Sequence, residues 1–181
     1  SKRDHEVCGA TNGDDVPMTE TIKCCPILIG NEWSVPDTEE TSPVCNPSTG
    51  EQIAAVPMCD ADIVDSVVRN SYAAFEDWME TPPIERARVL FRYKMILEDH
   101  FEELATMIVR EHGKTITEAR GDVRRGVEVV EYACGITELM KGECLENIAR
   151  GIDCQMIRQP IGVCVGICPY NFPALVPLWM Y

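Results

Sequence analysis

The chain has 181 residues, 45% of them hydrophobic and 25% charged, proportions ordinary for a globular protein with one core or a share of a larger one. Its formal net charge of -14 excludes the broad basic face that nucleic-acid phosphates require. No apolar run approaches the ~20 residues that would span a bilayer.

Residues 1–25 read as a disordered leader. Ser1 to Thr21 are polar, with neither the apolar segment of a signal peptide nor the Arg-rich pattern of a transit peptide. Order is expected from about Pro26. Ile27-Leu28-Ile29, then Gly30-Asn31-Glu32-Trp33, reads as a strand, a turn and a returning strand. A second hairpin is expected around Asn46-Pro47-Ser48-Thr49-Gly50, between Val44-Cys45 and Ile53-Ala54-Ala55-Val56.

Helices follow. Asp60 can cap a helix in which Ile63, Val64, Val67, Val68, Tyr72, Phe75 and Trp78 recur at helical spacing. Thr81-Pro82-Pro83 breaks the chain and starts the next, which carries Ala87, Leu90, Phe91, Lys94 and Leu97 on one face. A short helix with Phe101, Leu104, Ala105 and Ile108 should end at Gly113. Thr115-Ile116-Thr117-Glu118 fits a capping box for a helix running to about Lys141 and burying Val123, Val127, Val130 and Cys134.

The last forty residues change period. Ile152 to Arg158 nearly alternates, as a half-buried strand would, and Pro160 ends it. Ile161-Gly162-Val163-Cys164-Val165-Gly166-Ile167 is apolar throughout, as in a strand covered on both faces. Hairpins, helices and then a buried strand predict an α/β protein at the start of its main sheet. A parallel sheet needs a crossover of a dozen or so residues for each neighbour, so this strand requires a partner from further sequence or another chain.

The ten cysteines form neither a Cys-x-x-Cys pair nor a close Cys/His cluster. Several lie in apolar stretches, where a thiol behaves as a small hydrophobe. The expectation is reduced structural thiols, an intracellular setting and no metal site.

The motif that carries chemistry is Gly162-Val163-Cys164-Val165-Gly166-Ile167-Cys168-Pro169-Tyr170-Asn171-Phe172-Pro173. It lies beyond the carboxyl end of a predicted strand, where open α/β sheets bind ligands. Prolines on both sides restrict the backbone at Asn171, whose amide could then serve as a rigid donor to a developing alkoxide. Alone, Asn171 would read as a turn former between prolines. The segment resembles the signature of the aldehyde dehydrogenase superfamily. Leu28 to Trp33, Asn46 to Glu51 and Glu111 to Thr115 also resemble family segments, in the family's order, so the resemblance runs from about residue 26 to 181. Gly121 to Cys134, and Pro160 to Cys164 continuing to Met180, are most similar to the CoA-acylating methylmalonate-semialdehyde branch. Tyr170 stands where that branch usually has Phe, and His112 where Gln or Asn is more usual.

The resemblance implies the N-terminal part of an NAD-dependent dehydrogenase that converts methylmalonate or malonate semialdehyde to propionyl-CoA or acetyl-CoA, with loss of carbon dioxide and coenzyme A as acyl acceptor. Residues 26–143 would begin the NAD-binding domain, 144–160 form an oligomerisation hairpin, and 161–181 supply the first strand of the Rossmann-like NAD sheet and an active-site loop. Asn171 maps onto the oxyanion donor, and Ile167, Cys168, Pro169, Tyr170 and Asn171 onto the nicotinamide end of the cofactor site. Arg125 maps onto a substrate-channel position, where a guanidinium suits a semialdehyde carboxylate. A solvated surface arginine is the alternative for Arg125, and the expected role for Arg124, which helical register turns to another face. No cysteine here has the context of the family nucleophile, so the chain alone is expected to be inactive. Also implied are a homo-oligomer, a tetramer in the family, and a place in valine catabolism. The mitochondrial matrix would be the eukaryotic location, the cytoplasm otherwise. A second reading is a non-catalytic product that associates with full-length subunits through Asn147 to Arg158.

Overall fold

The computed structural model describes residues 22–38 and 40–180, so the expected leader lies outside the described residues as far as position 21. The first hairpin pairs β1 (Ile27–Ile29) with β2 (Glu32–Ser34), antiparallel, with Gly30 and Asn31 at positive φ in the turn. The second pairs β3 (Thr41–Cys45) with β4 (Gln52–Pro57). An isolated parallel bridge joins Cys24 to Ala55 beside β4, so paired backbone begins slightly ahead of Pro26.

The Asp60 side chain accepts from the Ile63 amide at 2.9 Å and starts α1 (Ala61–Glu80). Helix α1 buries none of its residues, and Val64, Val68, Tyr72 and Trp78 are exposed along it. Helix α2 (Pro83–Asp99) starts on its proline and buries Ala87 and Leu97. Phe91, expected on that face, is exposed, because the 3.6-residue repeat carries it to the edge of the stripe. Helix α3 (Phe101–His112) stops at Gly113, whose φ of 81° is the left-handed geometry a C-terminal glycine supplies. The capping box forms in full: the Thr115 hydroxyl accepts from the Glu118 amide, and the Glu118 carboxylate accepts from the Thr115 amide.

Helix α4 (Ile116–Ala133) ends well before Lys141. At Cys134 and Gly135 the bonds tighten to i→i−3, Gly135 N–H to the Tyr132 carbonyl at 3.0 Å, and glycine has little preference to continue a helix. A short α5 (Ile136–Leu139) follows. The core lies where α2, α3 and α4 meet, with Leu97, Ala105, Ile108, Ala119, Val123, Val127 and Val130 in contact. The four residues expected to be buried on α4, namely Val123, Val127, Val130 and Cys134, are buried.

The third hairpin pairs β5 (Glu143–Ala149) with β6 (Ile152–Met156), antiparallel. Every residue of both strands is exposed, so the half-buried strand expected from Ile152 is corrected: no second layer covers it among the described residues. Residues 161–167 carry no strand pairing either, and Ile161, Val165 and Ile167 are 92%, 80% and 88% exposed. A strand exists only with a neighbour, and none of the described strands lies beside this one. The chain then turns through Asn171 into α6 (Leu175–Met180), which packs on α4 and adds Leu178 to the core. No described helix is long and apolar enough to cross a membrane.

Candidate functional site

Helix α4 carries two kinds of residue on neighbouring faces. One face is the apolar stripe Ala119, Val123, Gly126, Val127 and Val130, interrupted by Asp122. The other presents Arg125 toward the loop of Pro169, Asn171 and Phe172. Arg125 and Asn171, 46 positions apart in the sequence, line the same open groove, which continues over Glu128, Val129, Tyr132 and Trp179. They also border a second, smaller depression lined by Lys114, Glu118, Gly121 and Asp122. The structure therefore brings the two predicted site residues together.

Arg124 and Arg125 diverge as helical register requires. The Arg124 guanidinium donates to Glu98 at 2.7 Å and lies 4.7 Å from the centre of the Phe101 ring, tying α4 to the preceding helices. Arg125 has no ion-pair partner within 4.0 Å among the described residues. A guanidinium beside apolar Val129, Leu175 and Val176, with no internal partner, is open to an external anion. Two acids share these depressions. Glu118 is occupied by its capping box, and the Thr115 hydroxyl and amide hold its carboxyl below the usual range. Glu128 lines the groove itself.

Of the residues assigned to the cofactor, Pro169 and Asn171 line this groove, whereas Ile167, Cys168 and Tyr170 do not. Ile167 and the 91% exposed Tyr170 stand open to solvent, and Cys168 is half-buried. This stretch is exposed, carries no strand pairing among the described residues and encloses nothing. The nine described cysteines are free thiols, and no group of three or more metal-ligating side chains occurs among the described residues.

Sequence reasoning passed over Asp122 and Lys114. Asp122 is 2% exposed, the one charged residue in the described core. It accepts from the Lys114 ammonium at 3.1 Å and from the Leu175 amide at 2.9 Å. The Lys114 ammonium also lies 4.5 Å from the centre of the Phe172 ring. A signal was present: a carboxylate placed inside an i, i+3, i+4 apolar stripe needs a buried partner.

Comparison with known proteins identifies the family and the fold. The profile of the aldehyde dehydrogenase family matches residues 33–181. Malonate-semialdehyde dehydrogenase of Bacillus pumilus is 45% identical over 165 residues, covering 91% of this chain and 34% of its own length. The Pseudomonas aeruginosa malonate-semialdehyde dehydrogenase is 47% identical over 154 residues, covering 85% of this chain and 31% of its own length. Among solved structures, methylmalonate-semialdehyde dehydrogenase from Oceanimonas doudoroffii superposes with a TM-score of 0.82 at 41% identity, over 87% of this chain and 32% of that one. A Sinorhizobium meliloti structure described as a methylmalonate-semialdehyde dehydrogenase complexed with NAD gives 0.83 at 38% identity, over 89% and 33%. The chain thus spans about a third of the length of the relatives it matches.

Proposed function

The chain belongs to the aldehyde dehydrogenase family, with the α/β architecture of that family's N-terminal portion, and from this we propose that it supplies part of the site of a semialdehyde dehydrogenase acting on malonate or methylmalonate semialdehyde. The observation that carries the reading is Arg125, without an ion-pair partner among the described residues, facing the same groove as Asn171. A substrate with an aldehyde at one end and a carboxylate at the other offers one group to each. Arg125 holds the carboxylate, to which a guanidinium can donate two parallel hydrogen bonds. The Asn171 amide N–H donates to the oxygen that gains charge when the aldehyde carbon is attacked, and a donor fixed in advance favours the transition state over the ground state.

Ile167, Cys168, Pro169 and Tyr170, with Asn171, would hold the nicotinamide end of NAD. Bound NAD supplies the hydride acceptor. Coenzyme A takes the acyl group, giving propionyl-CoA or acetyl-CoA with loss of carbon dioxide. Residues 26–143 begin the NAD-binding domain and residues 161–181 open its sheet. The hairpin within 144–160 is a subunit contact, a reading supported by its full exposure and by apolar Leu145, Ile148 and Ile152 on it. The same exposure favours a second role, in which the chain associates with longer subunits without catalysing.

The test is an assay of the complete dehydrogenase carrying these residues, with and without coenzyme A, on methylmalonate semialdehyde and on propionaldehyde. Preference for the carboxylated substrate and CoA-dependent appearance of propionyl-CoA are expected. Indifference to the carboxylate would remove the reading's basis.

A further inference from the structure

We infer that Asp122 is a positioning residue of this site, the group that fixes the Asn171 loop to the helix bearing Arg125; the inference rests on the functional reading above. Its two carboxylate oxygens have separate tasks. Oδ1 accepts from the Leu175 amide at 2.9 Å, and Oδ2 accepts from the Lys114 ammonium at 3.1 Å. Lys114 in turn lies 4.5 Å from the Phe172 ring centre. One carboxylate therefore secures the chain just after Asn171 at two points: Phe172 adjoins Asn171, and Leu175 follows it by four residues.

Gly126, one helical turn beyond Asp122, makes the approach close. A Cβ there would lie 2.5 Å from the Leu178 Cδ1 and 3.5 Å from the Leu175 Cα, so the loop and α6 backbone sit directly on α4. Arg125 is three residues from Asp122 on the same helix, so one hydrogen bond sets the spacing between guanidinium and Asn171 amide. A leucine at position 122 would continue the apolar stripe yet leave the buried Leu175 amide without an acceptor. The carboxylate is thus explained by placement of the loop, because apolar packing alone would not require a buried charge.

The test uses the complete dehydrogenase carrying these residues, comparing Asp122→Leu, Asp122→Asn and Asn171→Ala. Turnover is expressed per active site counted by the pre-steady-state burst, alongside KM for propionaldehyde and amide hydrogen exchange over residues 172–178. Asp122→Leu should speed exchange there and lower turnover per active site roughly ten- to a hundredfold, with KM within about threefold, as expected when a reacting group is displaced by about an ångström. Asp122→Asn retains an oxygen for the Leu175 amide and should recover most of both. Unchanged turnover per active site in Asp122→Leu, or equal loss in both variants, overturns the inference. If Asp122→Leu does not fold, Lys114→Met takes its place: faster exchange at Phe172 with a several-fold lower turnover supports the inference, and no change in either overturns it. A harmless Asn171→Ala would instead defeat the functional reading, while exchange at Leu175 still reports whether Asp122 holds the loop.

Discussion

Arg124 and Arg125 sit about 100° apart around their helix, and that angle divides their chemistry. Arg124 is consumed by Glu98 and the Phe101 ring, whereas Arg125 faces the groove unpaired among the described residues. In the complete enzyme, Arg125→Leu should raise KM for carboxylated semialdehydes about tenfold to a few hundredfold, the worth of a charge-assisted hydrogen bond of roughly 1.5–3 kcal/mol. Propionaldehyde, which has no carboxylate, should be spared. Equal impairment of both substrates in steady-state kinetics would make Arg125 structural. Asn171→Ala should behave differently, lowering kcat by about two to three orders of magnitude on the proposed role of its amide as a donor to transition-state charge. NAD affinity measured by equilibrium titration should barely move. Glu128 lines the groove beside Arg125, so Glu128→Gln should lower KM for the anionic substrate several-fold at low salt, with the gain shrinking as salt screens it.

At the scale of elements, α2 and α4 are joined by a charge network as well as by their apolar stripes. Lys94 pairs with Glu98 at 3.4 Å and with Glu131 at 3.0 Å, and Arg124 pairs with the same Glu98. The hydrogen bond from Arg124, then that from Lys94, holds the Glu98 carboxyl below its usual range. A carboxylate whose folded pKa is depressed stabilises the fold above its unfolded pKa, and that contribution is lost as pH falls through the lowered folded value. Thermal melts should therefore lose a small increment on acidification below the usual carboxylate range. Glu98→Gln should flatten that part of the profile, and an unchanged profile would show the pair to be idle. The third hairpin depends instead on Gly142, where a Cβ would stand 1.8 Å from the Met156 carbonyl oxygen. Gly142→Ala should open the base of β5–β6 and weaken subunit association, read by light scattering against wild type, with the helical core's melt little altered.

Across the whole molecule, apolar surface is left uncovered along residues 157–167 and along α1. Such surface with unpaired backbone promotes association, so the isolated 181-residue chain should self-associate at micromolar concentration despite its charge of -14. A monodisperse monomer in analytical ultracentrifugation would count against this. The same chain should bind NAD more weakly than micromolar, because the stretch proposed to meet the cofactor is exposed and encloses nothing. The hairpins, the Asp60 cap, the Thr115 capping box and the Gly113 stop were all legible in the sequence, since each depends on residues within a few positions of one another. The buried face of α4 was legible for the same reason, through its 3.6-residue period. The run from Ile161 to Ile167 was read correctly as apolar, but its form depends on a neighbour that local sequence cannot supply. Asn171 and Arg125 were legible as residue types in a family pattern, but their shared groove was not. By itself, then, the sequence determined the local units, the family pattern and the candidate chemistry, because capping, turn geometry and periodicity are short-range. Only tertiary structure decided that Lys114, Asp122 and Leu175 meet, because packing across 53 positions from Asp122 to Leu175 brings those atoms together.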